Sequence, residues 1–160
     1  MFEIQILTHK QDDYAAMIKA VAAIEAVVQP QAPWTSQTIG DLLEQDSIGL
    51  IVVTDSSKND VIGYCLYQIL FEQAEILRIG THPDYQRQGM ASRIFAKINE
   101  VLKLNQVESL LLEVRADNIA AIALYERQGF TVIHIRKNYY QIGHQLAVDA
   151  LIMQHLYNQS

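Results

Sequence analysis

The sequence predicts an α/β fold in which seven strands and four helices follow one another in the order β-α-α-β-β-β-α-β-α-β-β. Three observations support this prediction. Seven short segments either alternate apolar and polar residues or are apolar throughout, which is typical of strands. Four other segments repeat apolar residues at a helical period, and proline, glycine or polar residues separate the segments. With 160 residues the chain is long enough for one hydrophobic core, so we expect a single domain over residues 1–160.

The N-terminal half is expected to contain a strand, two helices and three further strands. Apolar residues recur at helical spacing over residues 12–28, and Pro30 stops this helix. Ser36 follows and is a suitable N-cap for a second helix. The turn residues Ser56–Asp60 predict a hairpin, and Glu72-Gln73 predicts a tight turn into the next strand. The strands are expected at residues 2–7, 48–54, 61–71 and 74–81.

The C-terminal half begins with the most regular helix in the chain. This helix follows Gly89, and its apolar residues recur at helical spacing over residues 91–102. Asp117 is expected to cap the last helix, which runs through Gln128 and is closed by Gly129 in the C′ position. The remaining strands are expected at residues 108–115, 130–136 and 148–156.

Composition and charge disfavour several classes of protein. The formal net charge of −6 argues against nucleic acid as the main partner, because phosphate binding needs a basic surface. Cys65 is the single cysteine, so no disulfide framework is expected, and the five histidines lack metal-ligand spacing, so no metal is expected. Neither a secretory signal nor an uninterrupted apolar stretch of about 18 residues is visible. We therefore expect a cytoplasmic protein without a membrane span.

The loop that precedes the helix after Gly89 has the features of an anion site. The first amides of a helix lack internal partners and lie at the positive end of its dipole. Gly89 allows a close approach to the backbone, Ala91 keeps the first turn small, and Arg87 adds a positive charge. The loop is neither a Walker loop nor a dinucleotide fingerprint. It is therefore either the pyrophosphate site of a nucleotide-like cofactor or a glycine-containing turn without a ligand.

Several stretches of the sequence resemble the GNAT superfamily of N-acetyltransferases. Gln86-Arg87-Gln88-Gly89-Met90-Ala91 is similar to the Arg/Gln-x-x-Gly-x-Gly/Ala hallmark of motif A in that superfamily. The segments that follow Leu112 look most like the RimI-type ribosomal-protein alanine N-acetyltransferases. The further similar segments are Leu112–Asn118, Ala121–Glu126, Gly129-Phe130, Arg136–Tyr140, Pro33-Trp34 and Asp149–Met153.

This resemblance implies a fold, a cosubstrate and a set of binding residues. The fold is that of the acyl-CoA N-acyltransferases, a mixed and mostly antiparallel central sheet of about seven strands flanked by four helices. The cosubstrate is acetyl-CoA, with its pantetheine arm on the backbone of one strand, its pyrophosphate on the helix that follows, and a hydrogen bond from Asn118. The implied binding residues are Ile79, Gly80, Thr81, Arg87, Gln88, Gly89, Met90, Ala91, Ser92 and Asn118.

The same resemblance makes Glu113 the candidate general base. The sequence adds support of its own, because Glu113 interrupts an apolar run at residues 110–114 that is typical of a strand covered on both faces. Burying a carboxylate in such a strand costs free energy, so the group is expected to be paired, to be hydrated or to have a function. The alternative interpretation is a structural ion pair with Arg115 or Arg136, or a solvated strand end.

Tyr125 is, by the same resemblance, the candidate general acid. A phenol with a pKa of about 10 is protonated at neutral pH and can pass its proton to a thiolate. The alternative is a half-buried tyrosine on an amphipathic helix. Cys65 lies in mid-strand with no histidine nearby in the sequence, so we expect a buried structural thiol rather than an acetyl carrier. Direct attack in a ternary complex follows from that expectation.

Trp34, Tyr139 and Tyr140 are candidates for the acceptor groove, because the family places these segments beside the acetyl group. Packing in the core is the alternative for all three. The resemblance implies acetylation of a protein N-terminus, the N-terminal alanine of a small-subunit ribosomal protein. Two alternatives stay open, namely an enzyme that acetylates lysine side chains or a small amine such as a polyamine, and a non-catalytic CoA-binding module. The sequence does not distinguish a monomer from a homodimer.

Overall fold

A computed structural model describes residues 1–141 and 143–157 and contains the predicted order of strands and helices. The predicted α/β class with a seven-stranded sheet and four α-helices is confirmed. A 3₁₀ turn, Pro83–Tyr85, lies inside the predicted loop before the third helix. The elements are β1 (Phe2–Ile6), α1 (Tyr14–Val28), α2 (Ser36–Leu42), β2 (Ile48–Asp55), β3 (Asp60–Leu70), β4 (Gln73–Thr81), α3 (Met90–Leu104), β5 (Ser109–Arg115), α4 (Ile119–Arg127), β6 (Thr131–Tyr140) and β7 (Val148–Leu156).

The strands form one sheet in the order β1-β2-β3-β4-β5-β7-β6. Each neighbouring pair is antiparallel except β4 and β5, which run parallel. The β4–β5 ladder is short and extends only from the pair Gln73 and Ser109 to the pair Glu75 and Leu111. Beyond these residues the two strands diverge, although each continues to pair with its other neighbour. The sheet is therefore split at its centre.

A hydrophobic core lies on each face of the sheet. On one face, α3 and α4 contribute Phe95, Ile98 and Tyr125 to a core that also contains Leu112 and Val114 of β5. On the other face, α1 and α2 cover a second core of aliphatic residues and Tyr64. Successive residues of a strand point to opposite faces, so the β5 residue between Leu112 and Val114 projects toward the α1 and α2 face.

Two helix caps differ from the sequence predictions by one residue. Ser36 is the first residue of α2 and not its cap, because the hydroxyl of Thr35 accepts a hydrogen bond from the amide of Thr38 (3.2 Å). Asn118 caps α4, and its carboxamide oxygen accepts from the amide of Ala121 (3.2 Å). The predicted cap Asp117 instead binds Arg115, since the guanidinium lies 2.9 Å from its carboxylate. A guanidinium two residues away thus engages the carboxylate that was expected to cap the helix.

Two strand boundaries also differ from those predicted. The turn into β4 consists of Phe71 and Glu72, one residue earlier than expected, and Phe71 adopts a left-handed φ of 58°. β6 continues through Tyr140, whereas the sequence predicted its end at Arg136. Asn138 adopts a φ of 54° and donates its amide to Asp149 (2.8 Å), so the strand passes an irregularity and pairs again with β7. This extension brings the hydroxyl of Tyr140 within hydrogen-bond distance of Glu113 in β5.

Gly129 closes α4 in the C′ position, as the sequence predicted. Its φ is +92°, and its amide donates to the carbonyl of Glu126 (3.0 Å). The next amide, that of Phe130, donates to the carbonyl of Tyr125 (3.0 Å), which completes a Schellman motif. A Cβ at residue 129 would lie 2.8 Å from Nδ1 of His155.

We expect Gly129→Ala to lower the free energy of unfolding by about 1–2 kcal/mol, because an L side chain is strained at this φ and would also displace His155. Urea denaturation followed by circular dichroism measures the change. Gly40→Ala in α2 is the matched control, since no atom lies within 4 Å of the added methyl group. Alanine favours a helix, so the control is expected to be neutral or more stable by up to about 1 kcal/mol. Equal denaturation midpoints for Gly129→Ala and the wild type would contradict the prediction.

Candidate active site

The split in the sheet exposes backbone groups of β4 to a potential ligand. The amide of His82 donates to the carbonyl of Ile62 (2.8 Å), and the register pairs Gly80 with Tyr64. In an antiparallel ladder every second residue directs its amide and carbonyl to the same neighbour. The backbone groups of Gly80 therefore face β3, whereas those of Ile79 and Thr81 face the split. These two residues are the ones placed to pair with an extended amide-containing arm.

The beginning of α3 presents backbone amides that have no partner within the helix. Gly89 is the N-cap and adopts a left-handed φ of 76°. The first backbone bond of the helix runs from the amide of Arg93 to the carbonyl of Gly89 (3.2 Å). The amides of Met90, Ala91 and Ser92 precede this bond and have no carbonyl of the same helix to which they can donate. Such amides at the positive end of a helix dipole bind phosphate groups.

Internal hydrogen bonds shape the loop that leads to this helix. Gln86 donates its side-chain amide to the carbonyl of Thr81, and Gln88 donates to the carbonyl of Asp84, both at 3.2 Å. The ring of His82 accepts from the amide of Asp84 (3.1 Å), as expected of a histidine that stabilises a turn. Arg87 is exposed and adopts a φ of 63°, so its side chain leaves the loop toward solvent. The loop and the split together fit a long ligand with a phosphate group at one end and amides along its arm.

Two predicted cofactor contacts use side chains that already have partners. The hydroxyl of Ser92 accepts from the side chain of Gln128 in α4 (3.2 Å), so its backbone amide is the group left for a phosphate. The carboxamide oxygen of Asn118 serves as the cap of α4, which leaves its nitrogen as the group for a ligand. Both residues retain a donor, and their contact with the cofactor stays a prediction.

Glu113 projects from β5 just beyond the end of the β4–β5 ladder. The hydroxyl of Tyr140 donates to its carboxylate (2.7 Å), and the guanidinium of Arg136 lies 3.6 Å from the other carboxylate oxygen. One of the two ion pairs considered from the sequence is thus present, whereas Arg115 binds Asp117 instead. The Arg136 side chain is 49 % exposed, and an ion pair of this kind contributes little energy. Glu113 remains 27 % exposed and reachable from the split.

A second carboxylate, Glu75, lies near Glu113 and was not identified from the sequence. Glu75 is the last β4 residue in the ladder with β5. Partial desolvation and then the negative charge of Glu113 raise its pKa, and Arg136 opposes the shift. Alternation in the strand gives no signal for this residue, because a glutamate on the less buried side of a strand is ordinary. The proximity appears only when β4 and β5 are placed side by side.

Tyr125 lies on the opposite face from Glu113. It is 9 % exposed and packs edge to face with Phe95, with ring centroids 6.0 Å apart. Burial, with a smaller contribution from the charge of Cys65, raises the pKa of Tyr125 to about 12. Cys65 belongs to β3 and pairs with Ile79, a β4 residue whose backbone faces the split. Burial raises the pKa of Cys65 to about 12, which keeps this thiol protonated.

The three aromatic candidates for the acceptor groove have different neighbours: Tyr140 contacts Glu113, Tyr139 contacts Tyr140, and Trp34 lies on the α1 and α2 face. Trp34 is partly buried, and the guanidinium of Arg78 stacks on its ring at 4.3 Å. Tyr139 is 52 % exposed and meets Tyr140 edge to face at 5.2 Å. Trp34 packs against the core on this face, so the alternative of core packing applies to it, whereas Tyr139 is exposed. Their contact with an acceptor stays a prediction.

Comparison with known proteins identifies the family. The model of the acetyltransferase (GNAT) family matches residues 15–130. The chain belongs to this family. It is an acetyl-CoA-dependent N-acetyltransferase, as the sequence predicted.

Relatives of this acetyltransferase are similar in both sequence and structure. The [ribosomal protein bS18]-alanine N-acetyltransferases of Salmonella typhimurium LT2 and Escherichia coli K12 are 34 % and 35 % identical over 123 residues, which cover 76 % of this chain and 79 % of each relative. The crystal structure of the E. coli ribosomal-protein-S18-alanine N-acetyltransferase has a TM-score of 0.82 at 28 % identity, covering 100 % of this chain and 96 % of that one. Ard1 from Thermoplasma volcanium has a TM-score of 0.82 at 23 % identity, covering 99 % of both chains, which supports the fold.

The described part of the acetyltransferase contains neither a metal-binding cluster nor a membrane-spanning helix. Over residues 1–141 and 143–157, no group of three or more histidine, cysteine, aspartate or glutamate side chains is arranged to hold a metal ion. Within the same residues, no helix has the length and apolar character needed to cross a membrane.

We expect Gly89→Ala to weaken acetyl-CoA binding by about tenfold, which corresponds to about 1.4 kcal/mol. The φ of 76° is strained for alanine, so the substitution is expected to shift the first amides of α3 even though no atom lies within 4 Å of the added methyl group. Isothermal titration calorimetry with acetyl-CoA measures the change. Gly40→Ala, remote from α3, is expected to bind acetyl-CoA as the wild type does. Unchanged affinity of folded Gly89→Ala would show that these amides do not bind the cofactor.

Proposed function

We propose that this acetyltransferase acetylates the N-terminal α-amine of a protein, and that its acceptor is the N-terminal alanine of a small-subunit ribosomal protein. The names of the relatives from Salmonella typhimurium and E. coli support this acceptor. One observation of the structure carries the proposal. The hydroxyl of Tyr140 donates to Glu113 (2.7 Å), which joins the RimI-like segment Arg136–Tyr140 to the candidate base at the split.

Glu113 is proposed to take the proton of the attacking amine. Acetyl-CoA supplies the acetyl group as a thioester. Tyr140 and Arg136 hold the carboxylate of Glu113 toward the split, on the face where Trp34 lies. A carboxylate in this position can accept the proton directly or through one water molecule. The amine nitrogen then forms a bond to the acetyl carbon while the carbon–sulfur bond breaks.

Tyr125 is proposed to return a proton to the departing sulfur. Its pKa of about 12 keeps the phenol protonated at neutral pH, and it lies on the α3 and α4 face of the sheet. The amine loses one proton to Glu113 and the thiolate gains one from Tyr125, after which Glu113 releases a proton to solvent and Tyr125 regains one, so both groups are restored. Cys65 takes no part, since a thiol with a pKa of about 12 is a poor nucleophile at neutral pH. The acetyl group therefore passes directly from donor to acceptor in a ternary complex.

The proposal takes the chain to act as one domain over residues 1–160, in the cytoplasm, with a protein as the acceptor. Neither nucleic acid nor a membrane has a part in it. A second acceptor class is favoured by one observation, the proximity of Glu75 and Glu113 on the acceptor face. Two carboxylates attract a cationic group, so a lysine side chain or a polyamine is the competing acceptor.

We expect a peptide that begins with alanine and carries a small-subunit ribosomal sequence to gain the mass of one acetyl group when incubated with acetyl-CoA and the enzyme. Mass spectrometry of the product, with fragmentation, locates the group on the α-amine. The same peptide with a blocked α-amine and a free lysine is the control, and spermidine competes in a parallel reaction. Turnover of the lysine or of spermidine in preference to the free N-terminus would contradict the proposed acceptor.

We expect Glu113→Gln and Tyr125→Phe each to lower kcat by roughly 10²–10⁴-fold, the usual contribution of a positioned acid or base. Both variants retain the bulk of the side chain, so binding of acetyl-CoA is expected to persist. Tyr157→Phe is the matched control, because this buried tyrosine binds Asn99 (2.6 Å) and belongs to no part of the site. Wild-type kcat should not fall at alkaline pH up to about pH 10, since the acid titrates only near 12. Turnover at the wild-type rate in both variants would exclude these roles.

A further inference from the structure

A fully buried carboxylate, Glu25 of α1, lies in the core on the acceptor face and has no part in the proposed chemistry. Burying an isolated charge costs free energy, so we examine which groups pair with the Glu25 carboxylate. Tyr64 donates its hydroxyl to one carboxylate oxygen (2.5 Å), and the backbone amide of Trp34 donates to the other (2.9 Å). Arg78 of β4 forms an ion pair with that second oxygen at 3.3 Å. Glu25 therefore joins α1, β3, β4 and the segment between α1 and α2.

Arg78 makes two further contacts with the segment between α1 and α2. Its guanidinium stacks on the ring of Trp34 at 4.3 Å and donates to the carbonyl of Ala32 (3.2 Å). The side chain of Arg78 is 24 % exposed, whereas that of Glu25 is 1 % exposed. Arg78 directly precedes Ile79, whose backbone faces the split. In the ion pair of Glu25 and Arg78, Glu25 is therefore the buried member, and Arg78 is the accessible member on the face where the acceptor is proposed to bind.

The position of Arg78 in β4 depends on an irregularity of the strand. Leu66 pairs with Arg78 and Tyr67 with Ile76, so Leu77 is an extra residue that interrupts the alternation. Leu77 packs with the core on the α1 and α2 face, and Arg78 reaches Glu25 on that same face. Gly80 contributes as well, because a Cβ there would lie 2.8 Å from the hydroxyl that Tyr64 donates to Glu25.

The accessible end of the pair is electrostatically linked to the candidate base. The positive charge of Arg78 acts on Tyr140 and opposes the rise of its pKa, which burial and Glu113 cause. Tyr140 in turn donates to Glu113. Glu25 offsets part of the positive charge of Arg78 at this face, where Glu75 and Glu113 also lie, with Arg136 paired to Glu113.

We propose that Glu25 is a positioning residue for the acceptor, which acts by holding Arg78 and Trp34 together at the entrance to Glu113. This inference rests on the proposed function, because it assumes an amine acceptor on this face. We expect removal of the pair to affect the acceptor and not acetyl-CoA, because the residues proposed to bind the phosphate and the arm are the first amides of α3 and the backbone of Ile79 and Thr81. The side chains that specify the acceptor thus depend on a carboxylate that the acceptor never touches.

The test compares Glu25→Gln, Arg78→Met and the double variant with the wild type. Each single variant leaves one charge of a buried pair without its partner and is expected to be less stable. The double variant restores electroneutrality and is expected to recover most of the lost stability. Its KM for the acceptor should stay at least about tenfold above that of the wild type, because Trp34 has lost the stacked guanidinium. Its kcat at saturation and its affinity for acetyl-CoA should stay within about twofold of the wild type.

Trp34 provides a second readout that does not depend on activity. It is the only tryptophan of the chain, so fluorescence excited at a wavelength that the eight tyrosines do not absorb reports on its surroundings. We expect the double variant to show a red-shifted emission and stronger quenching by acrylamide. Glu100→Gln, which removes an exposed ion pair with Lys97 on α3, is the control and should change neither fluorescence nor KM.

Two outcomes would overturn the inference. If the double variant recovers the wild-type acceptor KM together with its stability, the pair is a structural contact only. If Trp34 fluorescence is unchanged in all three variants, Glu25 and Arg78 do not position Trp34. A wild-type enzyme that acetylates none of the amines tested would refute the proposed function instead, and the fluorescence experiment would still decide whether Glu25 positions Trp34.

Discussion

The short parallel ladder between β4 and β5 is the constraint on which the site depends. Three residue pairs join the two halves of the sheet, and the strands then part. Glu75 closes the ladder, and Glu113 lies two residues beyond the last pair, so both carboxylates are placed by the point of divergence. The same divergence turns the backbone of Ile79 and Thr81 toward open space. In a longer ladder the backbone amides and carbonyls of Ile79 and Thr81 would pair with β5, and no opening would connect the two faces of the sheet.

Much of the fold could be predicted because its signals are local. β7 has the predicted bounds, and the regular apolar period of α3 identified that helix. The errors arose where a distant or competing partner decides the outcome. β6 extends beyond its predicted end because Asp149 of the neighbouring strand β7 accepts a hydrogen bond from the amide of Asn138. Asp117 failed as a cap because Arg115 binds its carboxylate, and propensity alone does not represent that competition.

The candidate site was predictable only in part, for a related reason. Motif resemblance identified Glu113, but its contact with Tyr140 depends on the extension of β6. Glu25 occupies the apolar stripe of α1, seven residues after Ile18, and a charge in that position was a signal that the sequence contained. Its partners come from three other parts of the chain, so no local pattern could reveal them. The proximity of Glu75 to Glu113 likewise required knowledge of which strands are neighbours.

The placement of Glu113 and Tyr125 on opposite faces of the sheet has a consequence for the traffic of molecules. On the proposed assignment, the nucleotide end of the donor binds at α3 on one side, whereas the acceptor approaches from the side of α1 and α2. Donor and acceptor would then use separate entrances, so spent donor would be exchanged for fresh donor while the acceptor stays bound.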